Sequence, residues 1–203
     1  MKLPRAFCIT LPESPARTES ARKHFIESGL PDVTFIDGIN AEAFGLRTVF
    51  PYEVDNPGSG FNMGPKPTGI WLSHYMLWQI LLQQPDSHFL VLEDDAKFQP
   101  GWKEKAEKAL VDVPQSFDYL FLGSCCTGGR VVGRKEGMIH DVHYPLCSHA
   151  HIIAKKALKH MLATTRKCYA PIDIHLTFHT FRELEVYTVL PRIVDQFNTE
   201  FPD

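Results

Sequence analysis

The stretch His88-Phe89-Leu90-Val91-Leu92-Glu93-Asp94-Asp95 decides how this chain reads. Phe89 to Leu92 are apolar without interruption, which suits a strand covered on both faces, as in an α/β sheet. The run ends directly in three carboxylates. Adjacent acids repel one another and destabilise a fold unless solvent or a cation neutralises them. In open α/β sheets, ligands bind beyond the carboxyl ends of the strands, and these acids stand at such an end. If the strand geometry continues, Glu93 and Asp95 point to one side and Asp94 to the other. Glu93 and Asp95 would then face a divalent ion or a ribose together. Oxygen ligands of this kind suit Mg²⁺ or Mn²⁺. The plain alternative is a solvated acidic loop, or the first turn of a helix.

Upstream of this strand, Thr68 to about Gln84 predicts a helix that is apolar on nearly every side and therefore central. Before it, residues 45–67 hold four glycines and four prolines with no sustained period, a long loop suited to a lid. Ala6 to Leu11 reads as a first strand, and Ser14-Pro15 as the start of a helix that stops at Gly29. Val33 to Ile36 is a short second strand. Downstream, the pattern predicts a helix over 101–111, a buried strand over 117–122 and an irregular region over 123–147 with a hairpin near Lys135-Glu136-Gly137. A strand over 151–154, a helix over 155–164, a helical stretch over 171–184 and a strand over 186–190 follow. Strands alternate with helices, so the expected fold is α/β with a mostly parallel central sheet flanked by helices. No repeat or composition break divides the chain, and residues 1–203 read as one domain.

The 203 residues suffice for one sizeable core. A composition of 44% hydrophobic and 22% charged residues is ordinary for a globular protein. A net charge of −3 gives no global case for nucleic acid or an anionic membrane. Lys155, Lys156, Lys159, Arg166 and Lys167 form a local basic stretch, either a solvated helix face or a surface for an anionic ligand. No segment is apolar enough for a membrane span, and the first residues do not read as a secretory signal. Five cysteines, odd in number and irregularly spaced, predict no disulfide framework and a reducing compartment. The expected location is cytoplasmic, free or peripheral to a membrane.

Four blocks in order resemble glycosyltransferase family 25, which includes lipopolysaccharide glycosyltransferases and collagen galactosyltransferases. They are Cys8-Ile9-Thr10-Leu11-Pro12-Glu13-Ser14-Pro15-Ala16-Arg17, Thr68-Gly69-Ile70-Trp71-Leu72-Ser73-His74-Tyr75, Val91-Leu92-Glu93-Asp94-Asp95-Ala96, and Ser148 to Ala157 joined to Pro171-Ile172-Asp173. Pro191 to Gln196 resembles the family's tail. The chain departs from the family at Cys8 and at Ile70-Trp71, where an apolar residue and a glycine-cysteine pair are usual. The resemblance implies a fold of the GT-A type, a nucleotide-sugar donor, transfer to a hydroxyl acceptor and inversion at the anomeric carbon. A divalent ion bridging the donor's phosphates would stabilise the charge that develops there.

Each candidate residue has a competing structural role. Asp95 is the leading metal ligand, with Glu93 and Asp94 ligating or holding the ribose. Arg17 would stack on a base or bind phosphate, or form a surface ion pair. Ser73 and His74 lie on the central helix, as donor contacts or as hydrogen-bonded structural groups. Asp173 would accept the acceptor's proton as general base, or simply cap a helix. His175 and His179 have the i, i+4 spacing of metal ligands, and His175 joins Asp95 and Glu93 as a candidate for the metal. His149 and His151 alternate on a strand and would line a sugar pocket from one face. Cys125, Cys126 and Cys147 with His149 match no zinc spacing.

Two other readings compete: a non-catalytic nucleotide-sugar or glycan-binding module of the same fold, and a nucleotidyltransferase, for which no glycine-rich phosphate loop follows the first strand. The acceptor is a saccharide, a hydroxylated side chain or a modified nucleobase. The basic stretch keeps a nucleic-acid acceptor open.

Overall fold

The computed structural model describes residues 2–43, 64–124, 131–142, 145–166, 168 and 170–197. The opening βα unit is β1 (Arg5–Thr10) and α1 (Pro15–Glu27), followed by β2 (Val33–Asp37) and α2 (Pro65–Gln83). The acids follow β3 (His88–Glu93), which leads through a two-residue turn into β4 (Ala96–Phe98). Then come α3 (Trp102–Asp112), β5 (Tyr119–Gly123), β6 (Val131–Glu136), β7 (Ile139–Val142), β8 (Ala150–Ala154) and α4 (Lys155–Thr164). The chain closes with α5 (Ile172–His175), a π-helical turn over Leu176–Thr180, a 3-10 turn over Phe181–Glu183, β9 (Val186–Val189) and β10 (Val194–Gln196).

Eight strands form one sheet in the order β2-β1-β3-β8-β5-β9-β7-β6. β1 runs parallel to β2 and β3, and β5 parallel to β9. β8 is antiparallel to both β3 and β5, β7 to β9, and β6 to β7. Six strands therefore share one direction, and only β8 and β7 oppose it. β4 and β10 form a separate two-stranded antiparallel sheet, with Gln196 opposite Ala96.

The uninterrupted apolar run of β3 is explained by the two cores. Leu90 and Leu92 face a cluster with Ala21 and Phe25 of α1 and Ala106, Ala109 and Leu110 of α3. Phe89 and Val91 face the other side, with Trp71, Leu77, Trp78 and Leu81 of α2 and Leu158 and Met161 of α4. Both faces of the strand are dry, so neither can carry polar residues.

Gly29 ends α1 as expected. Its φ of +81° is left-handed, the conformation in which glycine commonly closes a helix. The chain reverses there, with Leu30 N–H donating to the Phe25 carbonyl at 2.8 Å. The central helix starts earlier than the sequence suggests, at Pro65, whose missing N–H costs nothing in a first turn. Thr68 sits inside that helix, and its hydroxyl donates to the Gly64 carbonyl at 2.9 Å. The expected lid over 45–67 lies almost wholly outside the described residues, as does part of the region over 123–147. Cys8 and Cys168 are free and buried, whereas Cys147 is disulfide-bonded; the irregular cysteine spacing gave no sign of that bond. Among the described residues, no helix is long and apolar enough to cross a membrane.

Candidate active site

The turn after β3 breaks the strand alternation at Asp94-Asp95, so Glu93 and Asp95 do not act as a same-face pair. Each of the three acids reaches a different element. Glu93 keeps the side of Phe89 and Val91 and meets α2, where His74 Nε2–H donates to its Oε1 at 3.0 Å. Burial pushes the Glu93 carboxyl up. The His74 hydrogen bond and charge, with His149 and Arg17, outweigh it and hold the group ionised below its usual range. Asp94 turns to α1, where Arg17 donates from Nη2 to its Oδ1 at 2.7 Å. The Thr10 hydroxyl stands 3.5 Å from its other oxygen.

Asp95 faces the short second sheet. Gln196 Nε2 donates to Asp95 Oδ2 at 3.2 Å, and Phe197 N–H donates to the Asp95 carbonyl at 2.9 Å. Asp95 Oδ1 is buried and, among the described residues, has no hydrogen-bond partner. Burial, then the neighbouring charges of Glu93 and Asp94, push its carboxyl up to about 7 despite Arg17. Among the described residues, Asp95 Oδ1 is the one buried oxygen of the three acids left without a partner. A hard divalent cation takes oxygen ligands of this kind, and the fit rests on this orphan atom.

Each of the other candidates has partners of its own within the chain. Ser73 is sealed in: its hydroxyl donates to the Gly69 carbonyl and accepts from Ile39 N–H, both at 2.7 Å. It ties the chain after β2 to α2, and Gly69 must be glycine because a Cβ there would stand 2.4 Å from the Ile39 carbonyl oxygen. His74, 1% exposed, is held against Glu93. His149 and His151 are also buried and turn to different partners. His149 Nε2–H donates to the Val194 carbonyl of β10 at 3.3 Å, whereas His151 Nδ1–H donates to the Ser148 carbonyl at 3.1 Å and its ring stacks on Tyr119. Burial lowers both imidazoles, His151 far below its usual range, so His151 is neutral.

Asp173 belongs to the last helical stretch. Its Oδ1 accepts from Ile174 N–H at 2.8 Å and its Oδ2 from Cys147 N–H at 3.1 Å. Each carboxylate oxygen accepts through two lone pairs, so each keeps a second one. Burial, then Glu93 and Asp173, raise the Tyr119 phenol well above its usual range. His175 is engaged elsewhere, through Nε2 to the Thr164 carbonyl at 3.0 Å and a ring contact with His179, and burial lowers it to about 4. Among the described residues no three His, Cys, Asp or Glu side chains gather closely enough to hold a metal. Asp95, Glu93 and His175 are thus no all-protein cage.

Sequence reasoning missed β4 and β10, and with them Gln196, the side chain that touches Asp95. Three-residue strands are too short to show a period. The basic stretch is partly structural: Lys155 bonds the Gln84 carbonyl, and Lys156 bonds the Ser116 carbonyl and pairs with Asp118 at 2.9 Å.

The fold is that of a solved glycosyltransferase of the GT-A type. Residues 3–176 match the family model "Glycosyltransferase family 25 (LPS biosynthesis protein)". The chain belongs to glycosyltransferase family 25. It is 29% identical over 132 residues to a glycosyltransferase 25 family member of Drosophila melanogaster, covering 61% of this chain and 21% of that protein. It is 32% identical over 140 residues to "Putative glycosyltransferase R655" of Acanthamoeba polyphaga mimivirus, covering 68% and 43%. A human relative, 28% identical over 127 residues and covering 58% and 21%, is named inactive glycosyltransferase 25 family member 3. The chain thus spans less than half the length of each of these relatives. Among solved structures it is similar to a glycosyltransferase involved in glycosylation of the major capsid of PBCV-1, with a TM-score of 0.53, 11% identity and coverage of 92% of this chain and 80% of that one.

Proposed function

We propose that this chain moves a sugar from a UDP-sugar to a saccharide hydroxyl with inversion, assisted by Mn²⁺ or Mg²⁺. The observation that carries the proposal is Asp95 Oδ1, buried and unpartnered beyond the carboxyl end of β3. Ions of this kind are commonly held by one or two carboxylates plus substrate phosphates, which suits a site with no protein cage. Asp95 would hold the ion, which when bound stabilises charge on the departing phosphates. Glu93, paired with His74, would accept hydrogen bonds from a ribose. Arg17, paired with Asp94, would meet the donor's base or phosphates. Asp173 takes the acceptor's hydroxyl proton through a free lone pair as the sugar is attacked from the face opposite the leaving group.

Release of free nucleotide from a panel of nucleotide-sugars, with and without Mn²⁺, tests this reading. Turnover of a UDP-sugar that requires the ion supports it; binding and turnover of no donor overturns it. Replacing Asp173 by Asn is expected to lower kcat by about 10²–10⁴-fold with donor Kd unchanged, and an unaltered kcat would remove Asp173 from the role of base. The human relative named inactive gives a second reading, a donor-binding module without turnover. Donor binding by calorimetry without nucleotide release in any acceptor mixture would favour it.

A further inference from the structure

The chain's last described segment lies outside the family match, which ends at residue 176, yet it is woven into the acidic turn. Ile193 N–H donates to the Leu122 carbonyl and Gln99 N–H to the Ile193 carbonyl, at 2.9 and 3.0 Å. The Val194 carbonyl accepts from His149. The β10 ladder on β4 then delivers Gln196 over Asp95. The Phe197 ring packs edge-on against His24 of α1, 5.1 Å between centroids, with Lys97 4.9 Å above it. Gln196 is thus held from both sides, and its amide N–H engages one oxygen of Asp95 while the other stays bare.

From this geometry we infer that Gln196 is a positioning residue: it fixes Asp95 so that Oδ1 is presented to the divalent ion and the donor's phosphates. The inference rests on the proposed function. An N–H donor on Oδ2 stops the carboxylate from rotating. A carboxylate at position 196 would instead set two acids side by side, and a shorter or apolar side chain would leave Oδ2 without a donor.

The test is Mn²⁺ binding to the full chain, followed by the electron paramagnetic resonance of free Mn²⁺ with UDP present and no sugar transferred. Gln196→Leu, which keeps the bulk and removes the donor, is expected to weaken Mn²⁺ about 10–100-fold, as loss of an outer partner does in metal sites. Its melting temperature should stay near that of the unaltered protein. Retained Mn²⁺ affinity within about twofold, against that 10–100-fold expectation, overturns the positioning role while leaving the proposed function standing. If the unaltered chain binds no Mn²⁺ with UDP present, the proposed function fails and this inference with it. Should Gln196→Leu unfold, Gln196→Met is measured in its place, by the same readout and the same two outcomes.

Discussion

Asp95→Asn is expected to raise the thermal stability of the metal-free protein at pH 8 while lowering donor turnover at least about 100-fold. The two effects have one cause. The folded chain raises the Asp95 carboxyl from 3.8 to about 7. Between those values the folded state holds a proton that the unfolded state has released. Stability from this group is therefore fully present near pH 4 and is lost as pH rises through about 7. Asparagine carries no charge and keeps an oxygen for the Gln196 amide. The variant should match the unaltered protein near pH 4 and exceed it at pH 8, by about 2–4 °C for each kcal/mol recovered. Scanning calorimetry in chelator at both pH values checks this. A constant gap, or a variant less stable at pH 8, would show that Asp95 is not a strained carboxylate.

Gly123→Ala should both destabilise the fold and disable the site. A Cβ at position 123 would stand 1.9 Å from the Val194 carbonyl oxygen and 2.5 Å from His149 Nε2. The first contact is with backbone, so no rotamer relieves it. Either β10 lifts from the end of β5 or β5 deforms. The expected cost is about 1–3 kcal/mol or more. Because β10 carries Gln196, turnover should fall with it. Urea unfolding gives the stability, and faster amide exchange at 193–197 would locate the damage. Unaltered stability and exchange would mean the tail is not seated against Gly123.

How much of this was legible in the sequence follows from the length scale of each signal. β3 was readable because four apolar residues running straight into three acids fit little besides a buried strand that ends at a polar turn. α1 was readable from Pro15 and Gly29, whose backbone preferences punctuate a helix at either end. The direction of β8 was not, since a strand such as Ala150–Ala154, buried throughout, looks the same whichever way it runs. His149 stands one residue before that strand, so the alternation that would pair it with His151 does not reach it. Within the triplet, the turn at Asp94-Asp95 overrode strand alternation and gave each acid its own partner. Ser73 and His74 stood out correctly as unusual polar residues on an apolar helix. Their roles needed the partners, the Ile39 amide and Glu93, which lie 34 and 19 residues away in sequence. Gln196 showed only as the end of a block resembling the family's tail, because its meaning comes from a pairing with a residue 101 positions earlier.

The central claim is that Asp95 holds a divalent ion together with a nucleotide diphosphate. Calorimetric titration of UDP into the chain, with and without Mn²⁺, and into Asp95→Asn, tests it most directly. Binding of UDP that strengthens with Mn²⁺ in the unaltered chain, and loses that dependence in Asp95→Asn, is the result expected. Binding of UDP that is indifferent to Mn²⁺, or equally ion-dependent in Asp95→Asn, would contradict it.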